Sequence, residues 1–208
     1  QYFNVPTHCV FRDIKIDNAR CVGCAPAQMK DILFENIEFV GCGQCSANCA
    51  FDAEDGWDGM QDVTFRNLNF HDNPNNNFLT CAGHNFIIED CPLINGIHIW
   101  GRTRGLVVKN TKASMNIGND GTLKSYAPRL ENCYCLSLGA NGSYIRDCIV
   151  ETTNGWNINA CLVDCQIIGC LGATVQADNC TYKFDNSSYL SNAIIENSTI
   201  EALNGTSI

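Results

Sequence analysis

A six-residue pattern recurs along the chain and limits how the chain can fold. Each copy reads apolar, any residue, Asn or Asp, small or apolar, any residue, apolar, as in the segment Phe-Arg-Asn-Leu-Asn-Phe that begins at Phe65. The Asn or Asp residues of the copies are Asp13, Asn36, Asn67, Asp90, Asn110, Asn132, Asp147, Asp164, Asn179 and Asn197. Self-similarity of this kind is the signature of a repeat architecture. The uneven spacing of the copies indicates insertions of different lengths between fixed strands.

The pattern predicts strands joined by a bend. Apolar residues alternate on either side of the Asn or Asp, which is typical of β-strands. Asn and Asp tolerate the left-handed backbone of a sharp bend better than other residues except Gly, and stacked Asn side chains can bond to one another. No segment holds a helical apolar stripe for three turns. Each repeat is therefore expected to form a strand, a bend and a second strand, which implies a coil.

On this repeat and its Asn column, the chain resembles the right-handed parallel β-helix proteins of the pectin-lyase-like superfamily over essentially its whole length. The resemblance implies an all-β fold, a right-handed parallel β-helix (solenoid) of about nine or ten coils with an Asn/Asp bend column. The superfamily includes polysaccharide lyases, glycoside hydrolases, phage tailspikes and surface adhesins. Because no polar cap or helix precedes the first copy, we interpret residues 1–208 as a single domain from a longer protein.

The amino-acid composition limits the kinds of molecule that the chain can bind. The formal net charge is −9, which disfavours nucleic acid, because Lys and Arg must neutralise phosphates there. No apolar run approaches the 18 residues of a membrane span. With the resemblance to surface and tailspike proteins, this predicts an extracellular, cell-surface or virion location.

The cysteines allow several interpretations. Their number is 15, so at least one thiol must be unpaired within the chain. The residue after the bend is Cys in four consecutive copies, which favours a column of buried thiols that fill the core, with disulfides between neighbouring strands as the alternative. These four are Cys133, Cys148, Cys165 and Cys180.

Two further cysteine pairs, Cys21 with Cys24 and Cys42 with Cys45, have the spacing of a structural zinc site. Against zinc, the residues between the two pairs form a good copy of the repeat. Zinc binding and core filling both remain open from the sequence.

Candidate functional residues lie on the strands that precede the hexads. Strand alternation places their outward side chains in two columns. One column is Asp52, Thr80, His98, Asn116 and Ser137, and the other is Glu54, Ala82, Trp100, Gly118 and Gly139. In enzymes of the superfamily, the groove beside this sheet is the usual substrate site. Small residues around Trp100 leave its ring prominent, which suits stacking on a sugar.

Three carboxylates are the catalytic candidates, namely Asp52, Glu54 and Asp55. Asp52 and Glu54 are about 6.6 Å apart along a strand, a separation that suits an inverting glycosidase. Asp55 and Asp58 could bind Ca²⁺ through oxygen ligands. The alternative is that Asp-Gly pairs simply form solvated turns.

His98, Trp100 and Arg102 are the candidates for substrate binding, and Arg102 with Arg104 could meet a sugar carboxylate. The residue sets that characterise polygalacturonases and pectate lyases are both incomplete. The sequence therefore predicts binding or processing of a polysaccharide in a groove along one parallel sheet, with catalysis by a lyase or hydrolase mechanism left open. The alternative is a non-catalytic structural or adhesin solenoid of a bacterial surface or phage protein.

Overall fold

A computed structural model of the chain describes residues 5–45, 49–53, 59–118, 127–152, 159–169, 174–184 and 192–203. Across these ranges the chain forms β-strands and no helix. The strands are β1 (Thr7–Asp17), β2 (Lys30–Val40), β3 (Cys49–Ala53), β4 (Gln61–His71), β5 (Asn76–Glu89), β6 (Ile94–Arg104), β7 (Val107–Lys109), β8 (Lys112–Ile117), β9 (Arg129–Glu131), β10 (Tyr134–Arg146), β11 (Ile149–Val150), β12 (Asn159–Val163), β13 (Gln166–Ile168), β14 (Thr174–Asp178), β15 (Thr181–Phe184), β16 (Ile194–Glu196) and β17 (Thr199–Ala202).

The described strands pair in parallel and form two ladders. The first ladder runs in the order β1, β2, β4, β5, β7, β9, β10, β12, β14, β16. The second contains β3, β5, β6, β8, β10, β11, β13, β15 and β17. Strands β5 and β10 belong to both ladders because they are 14 and 13 residues long.

The pairing of six strands closes on itself. β5 pairs with β6, β6 with β8, β8 with β10, β10 with β9, β9 with β7, and β7 again with β5. These strands form a closed six-strand parallel barrel, and the other strands lie outside it. The predicted β-helix solenoid of nine or ten coils is therefore wrong. The hexads indicate where a strand bends, but the closure depends on β5 and β10 each pairing along both halves.

The Asn or Asp of every hexad has left-handed backbone, with φ between 48° and 57°. This local prediction is confirmed. Several of these side chains also bond to one another across neighbouring strands. Asn67 Nδ2 donates to Asn36 Oδ1 at 2.8 Å, and Asn132 Nδ2 donates to Asn110 Oδ1 at 3.0 Å. The bends are stacked on one another. The same Asn or Asp therefore adopts the left-handed backbone of the bend and forms the side-chain contact with the neighbouring strand.

Replacing Asn132 with Leu tests this role. We expect the free energy of unfolding to fall by about 1–3 kcal/mol, because a branched side chain is strained at a φ of 50° and the bond to Asn110 is lost. Asn132→Gly is the matched control, since Gly accepts the backbone and loses only the hydrogen bond. Equal losses for the two variants, measured by denaturant unfolding, would contradict a conformational role for Asn132.

Aromatic rings fill one end of the core. Phe65 is fully buried and lies against Phe34 in a stacked arrangement, with ring centroids 5.4 Å apart. It also meets Phe51, Phe78 and Phe86 edge-on at 5.3, 4.9 and 5.9 Å. Parallel in-register strands place identical residues above one another, so stacking follows from the repeat.

In the first ladder, the residue just before each hexad Asn or Asp is charged from β1 to β10. The sign of the charge alternates from one strand to the next. These residues are Arg12, Glu35, Arg66, Glu89, Lys109, Glu131 and Arg146. Buried Glu89 accepts hydrogen bonds from Arg66 Nε and Lys109 Nζ, both at 2.6 Å. Burial acts to raise the pKa of Glu89, but the bonds to Lys109 and Arg66 outweigh it and lower that pKa.

Most described cysteines are buried free thiols. Those of the hexad column, Cys133, Cys148, Cys165 and Cys180, are at most 4% exposed. Burial raises the pKa of Cys91, at the same position of an earlier hexad, to about 11, so this thiol is protonated at neutral pH. The core-filling interpretation is confirmed for these residues.

The four cysteines with the spacing of a zinc site differ from those of the hexad column. Cys21 and Cys45 form a disulfide with a Cα–Cα distance of 4.9 Å, while Cys24 and Cys42 are free thiols. Among the residues that the structure describes, no group of three or more His, Cys, Asp or Glu side chains is arranged to hold a metal ion. The four sulfurs therefore do not form the tetrahedral cluster that their spacing suggested.

Candidate functional site

The outer face of the second ladder carries a row of partly exposed side chains. Asp52 on β3 pairs with Leu79 on β5, Leu79 with His98 on β6, His98 with Asn116 on β8, and Asn116 with Gly139 on β10. Residues paired in this way point to the same face of a sheet. Asp52, Leu79, His98 and Asn116 are half-buried. We call these five residues the polar row.

The polar row differs at two places from the column expected from sequence. Thr80 is fully buried and pairs with Ile99, and half-exposed Leu79 takes its place. Ser137 pairs with Ser114, two residues before Asn116, and Gly139 pairs with Asn116 in its place. The expected column is thus one residue out of register on β5 and two residues out on β10, because strand alternation assigns faces but does not fix which residues pair.

Trp100 projects from a β-bulge. Thr80 pairs with Ile99 and Ala82 with Arg102, so that Trp100 and Gly101 together lie opposite the single residue Cys81. A bulge of this kind bends the strand and changes the direction of a side chain. Trp100 is 61% exposed, the largest exposure among the big apolar side chains of the described residues. It therefore presents its ring to solvent at the edge of the polar row.

His98 lies two residues before Trp100 on β6. Burial lowers the pKa of its imidazole, because desolvation disfavours the charged form. The neutral ring can both donate and accept a hydrogen bond at neutral pH. His98 therefore adds a polar group of mixed character beside the exposed indole.

Two arginines follow Trp100 on the same strand. Arg102 is exposed and pairs with Ala82, and Arg104 is half-exposed and pairs with His84. Both follow the outward alternation that begins at His98. The distance from His98 to Arg102 along the strand is about 13 Å. A planar apolar surface is thus flanked on one side by a neutral imidazole and on the other by positive charge, although the chain as a whole is acidic.

The predicted catalytic residues are only partly described. Asp52 lies in the polar row, and its backbone N–H donates to Cys24 O at 2.8 Å. Leu79 separates it from His98, which places Asp52 and His98 about 10 Å apart across two strand spacings. Glu54, Asp55 and Asp58 lie outside the described residues, so the carboxylate pair and the Ca²⁺ ligands stay predictions.

Relatives supply no guide to the chemistry of this face. No protein-family model, curated protein or solved structure matches the chain. The resemblance to the pectin-lyase-like superfamily stays a prediction from the repeat. In the part of the chain that the structure describes, no helix is long and apolar enough to cross a membrane.

A second surface feature was missed by the sequence reasoning. An open concave surface of about 660 Å³ lies on the strands after β10, and its polar lining includes Asp147, Asp164, Gln166, Asn179, Thr181 and Lys183. None of the predicted site residues lines it. Two of the lining residues are hexad Asp residues in consecutive copies, which is the signal that could have found it. It lacks an exposed aromatic ring among its lining residues, unlike the Trp100 face.

Proposed function

We propose that the chain is a carbohydrate-binding protein and that a polysaccharide binds across the outer face of the second ladder at Trp100. The observation that carries the proposal is the exposure of this indole, 61%, at a bulge in a paired strand. Trp combines a large apolar face with a polar N–H, which suits the alternating apolar and hydroxyl surfaces of a sugar ring. A site built on paired strands also holds its side chains more precisely than a loop would.

Polar groups around Trp100 give the site its expected selectivity. The neutral imidazole of His98 and the amide of Asn116 can exchange hydrogen bonds with sugar hydroxyls, and the two are adjacent in the polar row. Arg102 and Arg104 can pair with a carboxylate in two-bonded geometry. We therefore infer a preference for glycans that contain acidic sugars, bound locally by positive charge despite the net charge of −9.

The proposal is binding without turnover. Asp52 is the one described residue among the three catalytic candidates, and Leu79 separates it from His98. General acid–base chemistry needs its groups within hydrogen-bonding reach of the same bond. The predicted catalytic pair is Asp52 with Glu54, and Glu54 lies outside the described residues, so the proposal is confined to binding.

We also propose an oxidising location, outside the cell or on a cell or virion surface. The support is the Cys21–Cys45 disulfide, since disulfides persist mainly in such compartments.

A glycan array with the wild-type protein and three variants tests the function. We expect binding to a set of acidic glycans, a loss of affinity of about tenfold in Trp100→Ala, corresponding to about 1.4 kcal/mol, and a smaller loss in Trp100→Phe. Leu93→Ala, another exposed apolar residue outside the polar row, is the control and should bind normally. No reducing or unsaturated sugar product should form with any of these proteins. Equal binding by wild type and Trp100→Ala would show that the glycan does not bind at Trp100. Formation of a sugar product would show that the protein is an enzyme.

A further inference from the structure

The hexad-column thiols stand above one another on neighbouring strands. They are Cys133, Cys148, Cys165 and Cys180. Each directly precedes the first residue of β10, β11, β13 or β15, and those first residues pair with one another in register. Neighbouring strands lie about 4.8 Å apart, and the side chains of neighbouring thiols are in hydrogen-bonding contact. The column is therefore an uninterrupted row of four sulfurs.

Each sulfur of the column accepts a hydrogen bond from the backbone of the preceding hexad. Cys133 N–H donates to Cys148 Sγ at 3.3 Å, and Cys148 N–H donates in the same way to Cys165 Sγ. Cys180 Sγ accepts from Cys165 N–H, and Cys133 Sγ accepts from Thr111 N–H. A hydrogen bond to the charged form of a group favours that form. Every sulfur in the column therefore has a donor that stabilises its thiolate.

The protons of these thiols are not needed to satisfy the backbone. Cys148 Sγ donates to Arg146 O at 3.0 Å, but this carbonyl also accepts Asn132 N–H at 3.1 Å. The carbonyls that accept from the other three thiols likewise hold a backbone N–H from a neighbouring strand. Because each carbonyl keeps a partner, loss of the thiol proton leaves no backbone group unsatisfied.

The geometry of the row decides which metal ion fits it. In the described part of the chain, no three Cys, His, Asp or Glu side chains converge on one point, so a tetrahedral zinc ion lacks ligands. Thiolate is a soft ligand that favours soft ions such as Cu(I). With metal–sulfur bonds of about 2.3 Å, a linear S–metal–S unit is about 4.6 Å long, close to the strand spacing. Two neighbouring sulfurs therefore match a two-coordinate, soft, monovalent ion.

We propose that the hexad column binds soft monovalent metal ions, with one Cu(I) between Cys133 and Cys148 and a second between Cys165 and Cys180. Each ion replaces two thiol protons, which pass to water, and forms two S–Cu bonds without a change in the oxidation state of copper or sulfur. The concave surface of about 660 Å³ is lined in part by Cys148 and Cys165, which gives ions a path to the column. The inference does not depend on glycan binding.

Anaerobic titration of the full chain with Cu(I) tests the site. Bicinchoninate, a coloured chelator, competes for weakly bound copper, and elemental analysis after desalting counts the ions that stay. Cys148→Ser and Cys180→Ser each remove one sulfur from one pair. Thr111 and Ser198 form the same backbone hydrogen bonds through hydroxyls at this hexad position, so we expect Ser to preserve the fold. Circular dichroism checks each variant.

Cys91→Ser is the matched control. Cys91 is buried at the same hexad position, but the neighbouring hexads carry Leu68 and Thr111 there instead of thiols. Relative to the wild type, we expect each single variant to lose about one Cu(I) per chain and the double variant Cys148→Ser/Cys180→Ser to lose about two, whereas Cys91→Ser loses none. X-ray absorption of the copper-loaded wild type should show two sulfur ligands per copper.

Three results would overturn the proposal. The first is a double variant that holds as much copper as the wild type. The second is a loss of copper in Cys91→Ser equal to that in the double variant. The third is a wild type whose copper has three or four sulfur ligands, and this measurement needs no variant. Zn²⁺ in the same assay should show no difference between the wild type and the double variant, because zinc needs more than two ligands from the protein.

Discussion

Phe65→Ala should cost about 3–5 kcal/mol of unfolding free energy, the largest loss that we expect from one side-chain truncation in this chain. Phe65 is fully buried and contacts four other phenylalanine rings. Removing its ring leaves a cavity whose walls are set by strands on several sides, which limits how far they can relax. Urea unfolding followed by circular dichroism gives the change directly.

Phe11→Ala is the matched control for this experiment. Phe11 occupies the same row on β1, is only half-buried and stacks on Phe34 with centroids 5.0 Å apart. Its truncation should cost about 1–2 kcal/mol, because less apolar surface is buried there. If the two variants lost equal stability, the aromatic cluster would not be a centre of the core.

Gly83→Ala should lower the free energy of unfolding by about 2–4 kcal/mol. Gly83 has a φ of 141°, which residues with a side chain adopt at a cost. A Cβ at this position would lie 2.8 Å from Met60 O and 2.5 Å from Phe86 Cζ. The carbonyl belongs to the backbone and cannot move without disturbing β-pairing, and the ring belongs to the packed core.

The control for Gly83 separates crowding from backbone strain. Gly169 has a φ of 67°, but a Cβ there would meet nothing within 4 Å. Gly169→Ala should therefore show only the conformational cost, about 1 kcal/mol. A Gly83→Ala protein as stable as Gly169→Ala would mean that the close approach at Met60 is not a constraint.

The sequence predicted local structure well because local structure depends on residues near in the chain. The hexad places Asn or Asp where the backbone has positive φ, as at Asn67. The tolerance of positive φ is an intrinsic property of these residue types, so the sequence alone reveals it. Alternation correctly put Ile97 and Met115 inward. The burial of the hexad-column thiols, such as Cys148, was predicted from their position directly after the bend residue.

Long-range features could not be read in the same way. Closure of the barrel depends on β5 and β10 pairing along both halves, and spacing between hexads does not contain that information. The bulge at Trp100 left no signal in the sequence, and alternation applied one residue out of phase on β5 misplaced Thr80. The Cys21–Cys45 disulfide was likewise one of several pairings that the sequence allows.

The most direct test of the proposed function is whether a bound sugar touches Trp100. The indole N–H resonance of Trp100, assigned by its loss in Trp100→Phe, can be followed by NMR during titration with an acidic oligosaccharide selected on the array. We expect this resonance to shift progressively and to saturate with the same affinity as binding itself. Saturating oligosaccharide that left the Trp100 resonance in place, while signals around Asp147 and Asp164 shifted, would contradict the account and move the site to the other concave surface.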